Sequence, residues 1–126
     1  MKKITFVSVA ATLLVTACSS LPLQPNAARV ISSPNPAPKS CKFMGQVVGN
    51  QGNFFTGGWT SNSNLEEGSM NDLRNKAAAM GANYVQIVTN RAGNTGSWGR
   101  DGGGMQQTNV TSLGNAYSCK PSDIGL

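Results

Sequence analysis

Apolar and polar positions divide the chain into an apolar leader, a proline-rich polar stretch and a region with strand and helix periodicity. Cys41 to Val48 (Cys-Lys-Phe-Met-Gly-Gln-Val-Val) has the length and the aromatic and β-branched content of a strand, and Gly49-Asn50-Gln51-Gly52-Asn53 ends it. A polar loop follows, with Phe54, Phe55 and Trp59 around Gly57-Gly58. Met70, Leu73, Ala77 and Met80 then recur at spacings of three and four, the apolar stripe of an amphipathic helix. Ser63 and Glu66 have capping-box spacing, Glu66 and Glu67 suit a helix N-terminus, and Gly81 is the expected stop.

Asn83 to Thr89 is apolar on both parities and predicts a buried strand. Gly93 to Gly104 contains six glycines with Asn94, Trp98, Arg100 and Asp101, and predicts a long mobile loop. Thr108 to Cys119 returns as a third strand. Strand–helix–strand implies a crossover that sets the first two strands parallel, with the third antiparallel beside the first. The predicted fold is therefore α+β: a two-layer βαββ domain over 41–121, with one helix on one face of a mixed three-stranded sheet, order 2-1-3. Residues 122–126 form a tail.

The leader changes the picture at the N-terminus. Met1-Lys2-Lys3 is a basic n-region, Ile4 to Val15 an apolar run, and Thr16-Ala17 supplies small residues before Cys18. This is a secretory signal pattern, too short for a stable membrane span. Val15-Thr16-Ala17-Cys18 resembles the bacterial lipobox, with Val15 where Leu is usual. The resemblance implies that residues 1–17 are removed and that Cys18 is acylated on its thiol and new amino terminus, a membrane anchor. Ser19 after Cys18, in place of Asp, implies the periplasmic side of the outer membrane. Residues 18–40 hold Pro22, Pro25, Pro34, Pro36 and Pro38 among Ser, Asn and Ala, and predict an extended tether. At ~3.1 Å per residue that tether would reach roughly 70 Å, with only Ala28-Arg29-Val30-Ile31 suited to a short edge strand.

With Cys18 acylated, Cys41 and Cys119 form an even pair in an oxidising compartment and predict one disulfide around the domain. A redox or metal role for the pair would need a CxxC motif, a histidine partner or a nearby cationic cluster, which the sequence does not supply. Ten Lys and Arg against five Asp and Glu give a formal charge of +5, which falls to +3 once Lys2 and Lys3 leave with the leader. No basic run is present, which argues against nucleic-acid binding. Histidine is absent, so no nucleophile–base pair can be assembled, and no cofactor or metal site is expected. Dipole compensation accounts for Glu66 and Glu67. A solvated helix face accounts for Asn71, Asp72, Arg74 and Asn75, with Asp72 and Lys76 at ion-pair spacing. Phe54, Phe55, Trp59 and Trp98 fall outside the periodic core. They are candidate partner or ligand contacts, or else fold back to cover the sheet.

Three stretches carry a family resemblance: Gly-Gln-Val-Val-Gly-Asn-Gln-Gly-Asn (45–53), Met-Asn-Asp-Leu-Arg-Asn-Lys-Ala-Ala-Ala-Met-Gly-Ala-Asn-Tyr-Val (70–85) and Gly-Asn-Ala-Tyr-Ser-Cys (114–119). The chain resembles small bacterial lipoproteins that share domain of unknown function 4156, a family with no established activity to carry over. Its layout is more distantly similar to the sensor lipoprotein of the Rcs phosphorelay. That sensor has two disulfides where this sequence allows one. Anchor, spacer, stapled head and missing catalytic set predict a non-enzymatic periplasmic module that binds an envelope protein, for sensing or as an accessory subunit of a secretion-type assembly. The alternative is a binder of a small envelope ligand, such as a peptidoglycan fragment or saccharide, stacked on Trp59 or Trp98.

Overall fold

The computed structural model describes residues 19–52, 60–99 and 102–126, with 95–99 and 102–106 described by backbone alone. The elements run β1 (Ile31–Ser33), β2 (Lys42–Gly52), α1 (Asn62–Ala79), β3 (Tyr84–Gly99) and β4 (Gly102–Ser118). Short 3-10 turns at Pro25–Ala27 and Pro121–Ile124 flank them.

The architecture is α+β, one helix on a mixed sheet, but the sheet has four strands in the order β1-β3-β4-β2 rather than three in the order 2-1-3. β4 is antiparallel to both neighbours, and β1 adds a parallel edge, with Ile31 opposite Tyr84. The two strands flanking the helix, β2 and β3, do run in the same direction, yet β4 lies between them. The reason lies in Gly93 to Gly104. Residues 93–99 and 102–104 are strand, not loop: β3 pairs with β4 from Gly93 opposite Asn109 to Gly99 opposite Gly102, with one register shift between Gly93 and Asn94. Antiparallel strands joined by two residues pair with each other first, which leaves β4 the central place. Glycine weakens strand propensity, so composition concealed the pairing.

The helix also starts earlier than its spacing predicts. Ser61, not Ser63, is the N-cap, and its hydroxyl accepts from the Asn64 amide at 3.2 Å. Glu66 and Glu67 consequently lie beyond the first turn. The buried stripe is Leu65, Ser69, Leu73 and Ala77, with Gly68 beside it, while Met70 and Met80 pack at its flank. Gly81 ends the helix as predicted, at φ +81°.

The core joins Leu73 and Ala77 of α1 to Val47, Val85 and Ala116 of the sheet and to Val30 and Ala82. Helix and sheet lie unusually close at Gly49, where a Cβ would strike the Ser69 carbonyl and Leu73. Ser69 donates to the Gly49 carbonyl at 3.1 Å and lies 2.7 Å from the Ser112 hydroxyl, which reaches Asn90 Oδ1 at 3.3 Å. Ser69 and Ser112 are both fully buried, and each hydroxyl is hydrogen-bonded.

Alternation assigns the remaining strand positions to the opposite face: Phe43, Tyr117 and Tyr84 in one row, then Gln46, Asn115 and Gln86, then Val48, Leu113 and Thr89. Tyr84 is buried there and donates its hydroxyl to the Asn35 carbonyl at 2.7 Å, whereas Phe43, Val48 and Val88 are exposed. At this end Cys41 and Cys119 form the predicted disulfide, Cα atoms 4.3 Å apart and 78 residues apart in sequence.

Candidate functional site

Polar side chains with assigned structural tasks concentrate on the N-terminal segment. Residues 19–30 do not form a free tether. They cross α1 as a strap. Gln51, near the end of β2, accepts from the Leu21 amide through Oε1 at 2.7 Å and donates through Nε2 to the Ser19 carbonyl at 2.9 Å. Asn71 donates to the Leu21 carbonyl at 2.8 Å. Asn75 donates to the Pro22 carbonyl at 3.0 Å and accepts from the Gln24 amide at 2.8 Å. Arg74 closes the series, with Nε donating to the Val30 carbonyl at 2.9 Å and an Nη to the Ala28 carbonyl at 3.0 Å. Ala27 and Val30 are thereby buried, and the Ile31 amide passes to the Asn83 carbonyl as β1 begins.

The polar run on the helix is therefore not a solvated face. Asn71, Arg74 and Asn75 leave α1 away from the stripe that meets the sheet, and each binds strap backbone. A backbone whose prolines forbid a regular ladder obtains its partners from side chains instead. Gly68 belongs to the same device. A Cβ there would overlap the Gln51 amide oxygen and come within 3.0 Å of the Leu21 nitrogen. Glycine within a helix costs about 1 kcal/mol against alanine, and here it gives the strap its seat.

Asp72 and Lys76 do a different job. Their ion pair, 2.8 Å at i,i+4 as predicted, lies along the outer edge of β2. Asp72 Oδ2 accepts from the Asn50 amide at 3.0 Å and Lys76 Nζ donates to the Val48 carbonyl at 2.8 Å. Both backbone groups point away from β4, so the pair occupies sites at which another strand would dock. An open groove of about 420 Å³ lies between Leu21–Gln24 of the strap and Asp72, Asn75, Lys76 and Ala79 of the helix. Asp72, Asn75 and Lys76 are already engaged there, and no aromatic lines it.

The other predicted site residues fare unequally. Cys41 and Cys119 are joined. Cys18, Phe54, Phe55 and Trp59 lie outside the described residues. Trp98 is in strand β3, opposite Gly103, and not in a loop. Among the described residues no cluster of three metal-ligating side chains occurs, and no helix is long and apolar enough to cross a membrane. Gln51, Gly68, Asn71, Arg74 and Asn75 escaped the sequence reading as binding residues. The available signal was a glycine and two asparagines, poor helix formers, inside a helix that tolerates them for a reason.

The family described as Domain of unknown function (DUF4156) matches residues 21–119. The chain belongs to the DUF4156 family. The matched region opens at Leu21, the strap residue held by Gln51, and closes at the disulfide cysteine Cys119. The DUF4156 domain thus includes the strap. Similar relatives are the uncharacterized protein YjeI of Escherichia coli K12 and its counterpart in Shigella flexneri, each 33% identical over 84 residues, covering 64% of this chain and 70% of the relative.

Proposed function

We propose that this DUF4156 protein is a lipid-anchored, non-enzymatic interaction module of the bacterial envelope, held by acylated Cys18 on the periplasmic side of the outer membrane. The observation that carries the reading is the clamp on Ser19 and Leu21. Acyl chains on Cys18 would attach one peptide unit, about 3.8 Å, from a residue bonded to the folded head. An anchor so placed fixes the orientation of the head, which a catalyst has little need of and a docking module exploits. A disulfide staple suits the oxidising compartment, and Ser69 and Ser112 are spent on packing with no base beside them. The partner-facing surface is the sheet face opposite α1, where Phe43 and Val48 are exposed.

Two measurements test this. The mass of the mature protein should match a triacylated or diacylated chain beginning at Cys18, and an unmodified N-terminus would overturn the anchor. A photoreactive residue at Val48 in intact cells should capture one defined envelope protein, whereas the same probe at Asn75, under the strap, should not. A diffuse set of products from both positions would contradict the docking role.

A further inference from the structure

The two outer edges of the sheet differ. On β2, Asp72 accepts from the Asn50 amide at 3.0 Å and Lys76 donates to the Val48 carbonyl at 2.8 Å, so side chains fill the places of a further strand. The outer edge of β3 has no such plug. β1 pairs with it only from Tyr84 to Gln86. Pro34 follows at once and has no amide to donate. The Asn35 amide turns back to the Ser33 hydroxyl at 3.1 Å, and the Asn35 carbonyl accepts from the Tyr84 hydroxyl at 2.7 Å on the open face. β1 therefore leaves the edge after Ser33. β3 runs on, past the last β2 row at Gly52 as a two-stranded ribbon with β4, to Gly99 opposite Gly102.

The stretch left bare is Val88–Asn94. Among the described residues no strand pairs with its outer side and no side chain is bonded to its backbone there. Ile87 is the last residue of β3 packed against the core, and Val88, Asn90, Arg91, Ala92 and Asn94 are exposed. The stretch contains no proline and spans roughly 20 Å at about 3.4 Å per residue, the length of an ordinary strand. Free amides and carbonyls along such an edge fit the backbone of another extended segment. Arg91 stands in the middle of it on the open face, in a row with Thr111 and Asn50, and no carboxylate among the described residues pairs with it. Two copies of the chain paired about an axis through this stretch would set Arg91 against the second copy's Arg91, and like charges directly opposite destabilise a sheet. A strand with a carboxylate at that place gains instead.

We propose that the outer edge of β3 from Val88 to Asn94 is a strand-addition site for an extended, acidic segment of a partner protein, which docks in the column that β1 vacates and sets a carboxylate beside Arg91. The site is separate from the open sheet face and does not depend on the anchor.

The probe is an acetylated and amidated peptide, Ser-Ile-Thr-Val-Glu-Val-Thr-Ile-Ser, titrated to millimolar concentration into the isotope-labelled full chain in detergent micelles. The amide resonances of Val88–Asn94 should shift and gain exchange protection, while those of Val48 and Asn50 should not. Replacing the peptide's Glu by Lys should weaken binding about five-fold. N-methylation of one alternating set of peptide amides should abolish binding and methylation of the other set should not, because only one set faces β3. Arg91→Glu should reverse the preference and favour the Lys peptide. The peptide pairs on the parent protein carry the test if that variant misfolds. Absence of shifts at Val88–Asn94, or shifts centred on Val48 and Asn50, overturns the proposal. Equal binding of the Glu and Lys peptides overturns the acidic partner. A dimer of the chain whose β3 edge is protected without peptide assigns the edge to a second copy and also overturns it.

Discussion

The two faces of the sheet are finished by different means. On the α1 face nearly every position is specified: Gly49 admits the helix, Leu73 and Ala77 fill the space above Val47 and Val85, and a serine pair crosses the seam. A third layer, the strap, lies over the helix and is held through its backbone by Gln51, Asn71, Arg74 and Asn75. On the opposite face, no helix among the described residues covers the rows of Gln46–Asn115–Gln86 and Val48–Leu113–Thr89, and Phe43, Val48 and Val88 are exposed. One face is spent on stability and on fixing the N-terminus; the other, among the described residues, carries no second layer. The docking role proposed above rests on that sidedness.

Substitutions break or sharpen this contrast in a graded way. The largest effect is expected from Cys41→Ser with Cys119→Ser, since opening a closed loop of this size lowers stability by roughly 4–5 kcal/mol in the chain-entropy model. Chemical denaturation of oxidised and substituted protein measures it. Leu73→Ala, on the covered face at zero exposure, should cost about 3 kcal/mol through the cavity it leaves. Arg74→Met keeps the packing of the stem but deprives two strap carbonyls of a charged donor, for a loss of about 2 kcal/mol. Gly68→Ala should gain helix propensity and still lose about 1 kcal/mol net, because the Gln51 amide must leave its place against Leu21. On the open face, Val48→Thr should stay within about 0.5 kcal/mol of the parent. A cost at Val48 equal to that at Leu73 would remove the distinction between the faces.

Much of this was legible in the chain. The helix with its Gly81 stop, the disulfide, the Asp72–Lys76 pair and the shared direction of the strands flanking α1 follow from local signals: periodicity, cysteine parity and side-chain spacing. The features that escaped depend on partners distant in sequence. Hydrogen bonds from Gln51 to Ser19 and from Asn71 to Leu21 span 32 and 50 residues, and no local pattern distinguishes such side chains from solvated ones. The ribbon escaped for another reason. Its glycines describe flexibility in isolation, while the pairing with β4, which runs on to Gly99 opposite Gly102, is a constraint that overrides propensity. The prolines of residues 19–40 exclude regular structure and so predict a spacer. They do not exclude docking through individual carbonyls.

The segment from Ser19 to Gln24 is seated on the head. Amide hydrogen exchange resolved to single residues tests it most directly. The Leu21 and Gln24 amides should exchange at least about 100-fold more slowly than in an unstructured peptide, and Gln51→Ala should release Leu21 while leaving Gln24 protected by Asn75. Exchange of both amides at free-peptide rates in the parent protein would mean that the strap is a tether after all.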